Sequence, residues 1–236
     1  MPKDGVDLAA AYAFPHRDVP WLRAVFVSSV DGAATLHGRS GGLGNSTDRR
    51  IFALGRALAD VVVVGAGTVR AERYGPVQVA AEWQTLRDGR PLTPPVAVVS
   101  RQLDLDLTGP LFVAAPEHAR TIVVTSSAAP GDRRRAVSKV AEVIMAGDTW
   151  VEPATAMAAL AERGYRRMSL EGGPRLFAHF VAAGLLDELC LTLSPAVVGG
   201  DAARITDGPP LPAPISMRLV RILTDESYLF LRYVRA

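Results

Sequence analysis

Asp60 is followed by four consecutive valines and then by Gly65-Ala66-Gly67. Four β-branched apolar residues in a row leave no polar face, so the segment reads as a strand covered on both sides, as strands of a parallel sheet are. Parallel neighbours need crossover connections, which commits the chain to layers of helix and sheet. "PVAVVS" (95–100) and "TIVVTS" (121–126) repeat the pattern, and "LRAVFVS" (22–28) and "RMSLEGG" (167–173) read as further strands. Between them the spacing predicts helices over 47–59, 153–163 and 174–183. The first has Ser46 or Thr47 as N-cap and Ile51, Leu54 and Leu58 on one face; Gly164 and Gly184 close the other two, and Pro174 suits a first helical turn. From residue 187 the pattern changes. "ELCLTLSP", "MRLVRILT" and "YLFLRYVR" alternate as antiparallel strands do. The expected fold class is therefore α/β, a mostly parallel mixed sheet with antiparallel C-terminal strands and helices on both faces. "DGPPLPAP" (207–214) is short enough for a loop, so 1–236 reads as one domain with 1–19 an irregular N-terminal segment.

Charge and cysteine content narrow the function classes. A net charge of +2 is too small for a nucleic-acid binder, and Arg133-Arg134-Arg135, without interleaved aromatics, reads as a solvated helix face. The single cysteine, Cys190, lies among apolar neighbours and reads as core; no zinc-ligand spacing exists. No apolar run approaches the roughly 18 residues of a membrane span, and Asp4 and Asp7 interrupt the only N-terminal apolar stretch. A cytoplasmic protein acting on a small molecule, with neither nucleic acid nor membrane as partner, is the expectation.

The glycines after the valine strand invite a Rossmann reading, which fails. Arg70 stands where the third glycine of G-x-G-x-x-G belongs, and the next strand ends in Ser100-Arg101 rather than in an acidic residue. A second strand–glycine–helix junction exists, however, in "LEGGPRLFAHF" (170–180). Backbone N–H groups at such a helix start, with no Cβ in the way, suit a pyrophosphate. Ser100-Arg101 suits a ribose 2′-phosphate, which would select NADP over NAD. Asp31, Ser100-Arg101 and both glycine loops fall at carboxyl ends of strands, where α/β sheets bind ligands.

Three stretches together, "FVSSVDGAAT", "ADVVVVGAGTVRAE" and "EGGPRLFAHFVAAGLLDELCLTLSPAVVGG", resemble the riboflavin-pathway pyrimidine reductases. That family includes the reductase domain of the bifunctional deaminase–reductase and has a dihydrofolate reductase-like fold; the resemblance is greatest to its stand-alone actinobacterial members. It implies that Thr68 and Glu72 contact the cofactor, and that Gly172, Gly173, Pro174 and Leu176 hold its pyrophosphate. It also implies that Ser100 and Arg101 bind the 2′-phosphate, Glu171 lies near the substrate, and Arg56 reaches the substrate phosphate. Asp31 and Ser28 would line the pocket where pyrimidine and nicotinamide meet, and Ser40 would contact substrate. Proton delivery stays open among Asp31, Glu171 and an ordered water, with His37 a weaker candidate. Asp31 could equally be a turn former before Gly32. The loop from His37 to Asn45, rich in glycine, could act as a lid. Val25, Ala33 and Val79 stand where the family often has basic residues. The implied function is NADPH-dependent reduction of 5-amino-6-(5-phosphoribosylamino)uracil or a related pyrimidine or pteridine, by a homodimer. Two alternatives are a dihydrofolate reductase-like enzyme and a non-catalytic NADPH-binding protein.

Overall fold

The computed structural model describes residues 5–15 and 18–236. In chain order the elements are α1 (Leu8–Ala11), β1 (Trp21–Ser29), α2 (Ser46–Leu58), β2 (Val61–Gly65), α3 (Ala66–Glu72), β3 (Val96–Val99), α4 (Pro110–Val113) and β4 (Ile122–Thr125). There follow α5 (Gly131–Val140), β5 (Glu142–Met145), α6 (Pro153–Glu162), β6 (Arg167–Leu170), α7 (Pro174–Ala182), β7 (Glu188–Ser194), β8 (Met217–Asp225) and β9 (Tyr228–Arg235). They form one sheet in the order β5-β4-β3-β2-β6-β1-β7-β9-β8. The neighbours from β5 through β7 pair parallel, whereas β9 pairs antiparallel with both β7 and β8. This is the mixed sheet that the sequence predicts.

The valine strand explains the layering. Val61 and Val63 pack into a cluster with Leu160 of α6 and Phe177 and Phe180 of α7. Val62 and Val64 pack on the other face with Leu111, Phe112 and Val137 of α4 and α5. A third cluster joins Leu8, Ile51, Leu54, Trp83, Cys190 and Phe230, so Cys190 is core as expected. Alternate side chains of one strand thus serve two layers.

Two expectations need correction. The segment 1–19 is not irregular throughout: Leu8–Ala11 is a helical turn capped by the Asp7 side chain, because Leu8, Ala11 and Tyr12 bury an apolar face. Residues 1–4 and 16–17 of that segment lie outside the described residues. The N-cap of α2 is Asn45, whose side-chain oxygen accepts from the Asp48 N–H at 2.9 Å. Thr47 instead donates its hydroxyl to Asp225, binding α2 to the end of β8. Two short elements are not predicted from the sequence pattern: α3 begins directly at the glycine loop and buries no residue, and β5 is a four-residue strand at the sheet edge with one buried residue.

Candidate active site

A cleft of about 580 Å³ opens beside the carboxyl ends of β1, β2 and β6, within the size range of small-molecule sites. One wall is backbone. Gly65 at the end of β2 donates its N–H to the Gly172 carbonyl at 2.7 Å, so the two glycine loops meet in a single seam. A Cβ at Gly65 would stand 3.3 Å from the Gly173 nitrogen, and one at Gly173 would stand 2.8 Å from Thr68 Oγ1. Gly172 has φ +121°, a conformation that glycine alone adopts freely, and the Gly172–Gly173 peptide is cis. Pro174 opens α7 with no side-chain cap before it, so the first turn carries N–H groups with no helical acceptor. The seam is a cradle that side chains would fill, and its residues fit the pyrophosphate of a dinucleotide.

The facing wall is charged. Glu171, buried at the end of β6, accepts from Arg56 Nε at 2.8 Å, from Arg56 Nη2 at 2.7 Å and from the Tyr74 hydroxyl at 2.8 Å. The Arg56 guanidinium also lies over the Phe52 ring, 4.4 Å from its centroid. Burial alone would pull the Arg56 guanidinium down, but the Glu171 carboxylate outweighs it and holds the group above its ordinary range. Burial, then Glu171, pushes the Tyr74 phenol well above 10.

Asp48 lies half-buried in the first turn of α2 and also lines the cleft. Burial raises its carboxyl above the usual range, opposed by the Thr192 hydroxyl and by Arg49. A Cβ at Gly44 would come 2.1 Å from Asp48 Oδ2, so that glycine makes room for the carboxylate.

Of the residues singled out from sequence, Ser40, Arg56, Thr68, Glu72, Glu171, Gly172, Gly173 and Pro174 come together around the cleft. Ser40 N and Oγ each lie 3.3 Å from Glu72 Oε1, which ties the glycine-rich 37–45 loop to α3. Leu176 sits behind the seam, its Cβ 3.6 Å from a Cβ placed at Gly65. Four others lie outside the cleft lining. Asp31 accepts from Ser29 Oγ at 2.5 Å and from the Gly199 N–H at 2.7 Å, joining the end of β1 to the loop after β7. Those bonds, the Ser29 hydroxyl first, hold its carboxyl down to about 2. Ser28 is buried and donates to the Ser29 carbonyl, while Ser100 Oγ accepts from the Leu103 N–H and closes a turn. Arg101 lies over the Trp150 ring.

The three positions at which the resemblance implies basic residues are not equivalent. Val25 lines the cleft, whereas Ala33 and Val79 are buried, Val79 against the cluster that holds Leu8 and Trp83. Arg49 and Arg73 also line the cleft. Asp48, Phe52 and Tyr74 escape the sequence reading. For the first two a signal existed, since 48, 52 and 56 are spaced four apart and fall on one helix stripe with Arg56. Tyr74 follows a left-handed Arg73 after α3, and no period points to it.

Residues 20–231 match the family described as the RibD C-terminal domain. The chain is 32% identical over 193 residues to the 2,5-diamino-6-ribosylamino-4(3H)-pyrimidinone 5′-phosphate reductase of Archaeoglobus fulgidus, covering 80% of this chain and 87% of that one. A crystal structure of a pyrimidine reductase-like protein from Corynebacterium diphtheriae superposes with a TM-score of 0.83 at 27% identity, covering 100% and 97% of the two chains. Dihydrofolate reductase from Enterococcus faecalis shares the fold with a TM-score of 0.50 at 15% identity, over 91% of this chain and 96% of its own.

Proposed function

The chain belongs to the RibD C-terminal domain family, and from that premise we infer that it is an NADPH-dependent reductase of a ribosylaminopyrimidine 5′-phosphate in riboflavin biosynthesis. The observation that carries this reading is the cleft with two unlike walls, a glycine seam shaped for a pyrophosphate and a charged wall opposite. Gly67, Thr68, Gly172, Gly173 and the first turn of α7 would hold the dinucleotide, with Glu72 and Ser40 closing the near side. When bound, NADPH supplies the hydride, which the opened ribose accepts at C1′ of its C=N bond.

The chain supplies position and the proton. Asp48 is the group suited to protonate the nitrogen as that bond is reduced, because its carboxyl is raised and faces the cleft. Asp31, ionised down to about pH 2 and bonded into a loop, holds no proton to give at neutral pH. Glu171 is a fixed acceptor for the pyrimidine edge, its charge balanced by Arg56 and oriented by Tyr74. With Arg56 so engaged, Arg49 and Arg73 become the contacts for the sugar phosphate.

Among the described residues no helix is long and apolar enough to cross a membrane; a cytoplasmic enzyme fits the reducing conditions that keep a lone thiol free. We also propose a homodimer through β8, where Leu219, Val220 and Ile222 are exposed on an edge strand.

The test follows NADPH absorbance with 2,5-diamino-6-ribosylamino-4(3H)-pyrimidinone 5′-phosphate, with its deaminated counterpart 5-amino-6-(5-phosphoribosylamino)uracil, and with dihydrofolate. Oxidation with either ribosyl phosphate is expected. Turnover of dihydrofolate alone would favour a dihydrofolate reductase-like activity, which needs no phosphate contact and suits the valine at 25. Tight NADPH binding with no turnover of any of the three would leave a binding protein.

A further inference from the structure

Beyond the cleft, the loops after β3, β4 and β5 converge at the same edge of the sheet. The Ser127 N–H donates to the Gly147 carbonyl at 2.9 Å, the Ala128 N–H to the Asp148 carbonyl at 2.8 Å, and Ser126 Oγ lies 3.3 Å from the Thr149 carbonyl oxygen. These bonds fix the backbone around Trp150, yet the residue is 55% exposed. A large aromatic ring held on a fixed loop and out of the core offers an open π face. The Arg101 guanidinium stands 3.9 Å above the ring centroid and, among the described residues, has no carboxylate partner. Arg133 and Arg134 of α5 extend to the same loops, donating to the Gln102 and Ser127 carbonyls. Three guanidinium groups and an open indole therefore share one corner at the carboxyl ends of parallel strands. Val99 and Val151 pack against the same cluster as Leu176, and Val99 pairs in register with Gly65, so Trp150 borders the α7 face near the seam that suits the pyrophosphate, whereas Arg133 and Arg134 reach these loops from α5 on the other face.

We propose that Trp150 is the stacking surface for the adenine of the dinucleotide and holds Arg101 in place for the ribose 2′-phosphate. The inference rests on the nicotinamide-dinucleotide reading above and adds to it a residue from the loop after β5. Base and indole stack through their π faces, and a guanidinium laid on the ring presents its edge donors outward. Trp150 thus acts on NADPH over NADH through Arg101, as well as on the adenine directly.

Tryptophan emission tests the assignment, because Trp83 is buried and the indole of Trp21 is bonded to Glu188. Adenosine 2′,5′-bisphosphate should quench the wild-type emission saturably, and nicotinamide mononucleotide should not. Trp150→Ala should abolish that quench and weaken both NADPH and the bisphosphate about ten-fold, while Trp150→Phe keeps affinity within about three-fold of wild type. A bisphosphate quench that persists in Trp150→Ala would overturn the proposal, as would unchanged affinities in that variant. If the wild type binds no NADPH at all, the dinucleotide reading falls with it; if NADPH binds and Trp150→Ala is silent, only the adenine assignment falls. The far-ultraviolet spectrum and melting temperature of Trp150→Ala show that the variant is folded.

Discussion

The two walls of the cleft are built on opposite principles. The glycine wall works by omission: Gly65, Gly172 and Gly173 bring backbone against backbone, and their value lies in the atoms they lack. The opposite wall works by surplus, with Asp48, Arg49, Arg56, Arg73, Tyr74 and Glu171 crowded along the edges of two helices and a strand. A backbone wall can hold a ligand common to many enzymes, because it reads shape and charge and no side-chain identity. A charged wall can be retuned one residue at a time. In this chain Val25, Ala33 and Val79, where the resemblance implies basic residues, all fall outside the glycine wall.

The largest expected effect falls on the charged wall. If Asp48 delivers the proton, Asp48→Asn should lower kcat roughly 10²–10⁴-fold, the usual worth of a general acid, with NADPH affinity unchanged. The pH dependence has a definite sign. Wild-type kcat should fall as pH rises and the carboxyl ionises, whereas the residual rate of Asp48→Asn should be flat. Because the folded state raises this carboxyl, ionising it opposes folding. The penalty is absent below the unfolded pKa and grows as pH rises toward the folded one, so the asparagine variant should melt higher than wild type at neutral pH. A variant that keeps full kcat would move the proton donor to solvent.

Next in size is the Arg56–Glu171 pair. Glu171 is buried and Arg56 a quarter exposed, so Glu171→Gln leaves a mostly buried guanidinium with one weaker partner. A loss of about 2 kcal/mol in unfolding free energy is expected, together with a rise in KM for the pyrimidine. Chemical denaturation and steady-state kinetics measure the two. Loss of stability with unchanged KM would make Glu171 structural only.

How much of this could be read from sequence follows the same division. The glycine wall was legible, because glycine after an apolar strand has few uses and both junctions repeat one pattern. The parallel sheet was legible from Val61–Val64 for the same reason: a four-residue apolar run admits one environment. The charged wall was legible only in part. Arg56 and Glu171 came from the family resemblance, but nothing local says that they bind each other across 115 positions. Asp48 reads as one more polar residue at a helix start, and its raised carboxyl depends on burial beside Thr192 of β7, which no local pattern records. Asp31 shows the converse. Its Asp-Gly sequence is a turn signal, and the structure uses it as one, with Gly32 at φ +92°.

The smallest effect tests the glycine wall where it is tightest. Gly173 has ordinary backbone angles, φ −81° and ψ 178°, so alanine is allowed there conformationally and, among the described residues, the obstacle is Thr68 Oγ1 at 2.8 Å. That atom is the end of a side chain able to turn about one bond. Gly173→Ala should therefore destabilise the protein by only about 1 kcal/mol, the low end of overpacking effects, which lowers the melting temperature by about 2–4 °C in a chain of this size. Thr68→Ala removes the obstructing atom, and the double variant should recover the lost melting temperature. NADPH affinity should not recover with it, because the new methyl group still stands in the seam and the threonine hydroxyl is gone. Stability and affinity that return together would mean that the seam is a packing device and that the dinucleotide is held elsewhere.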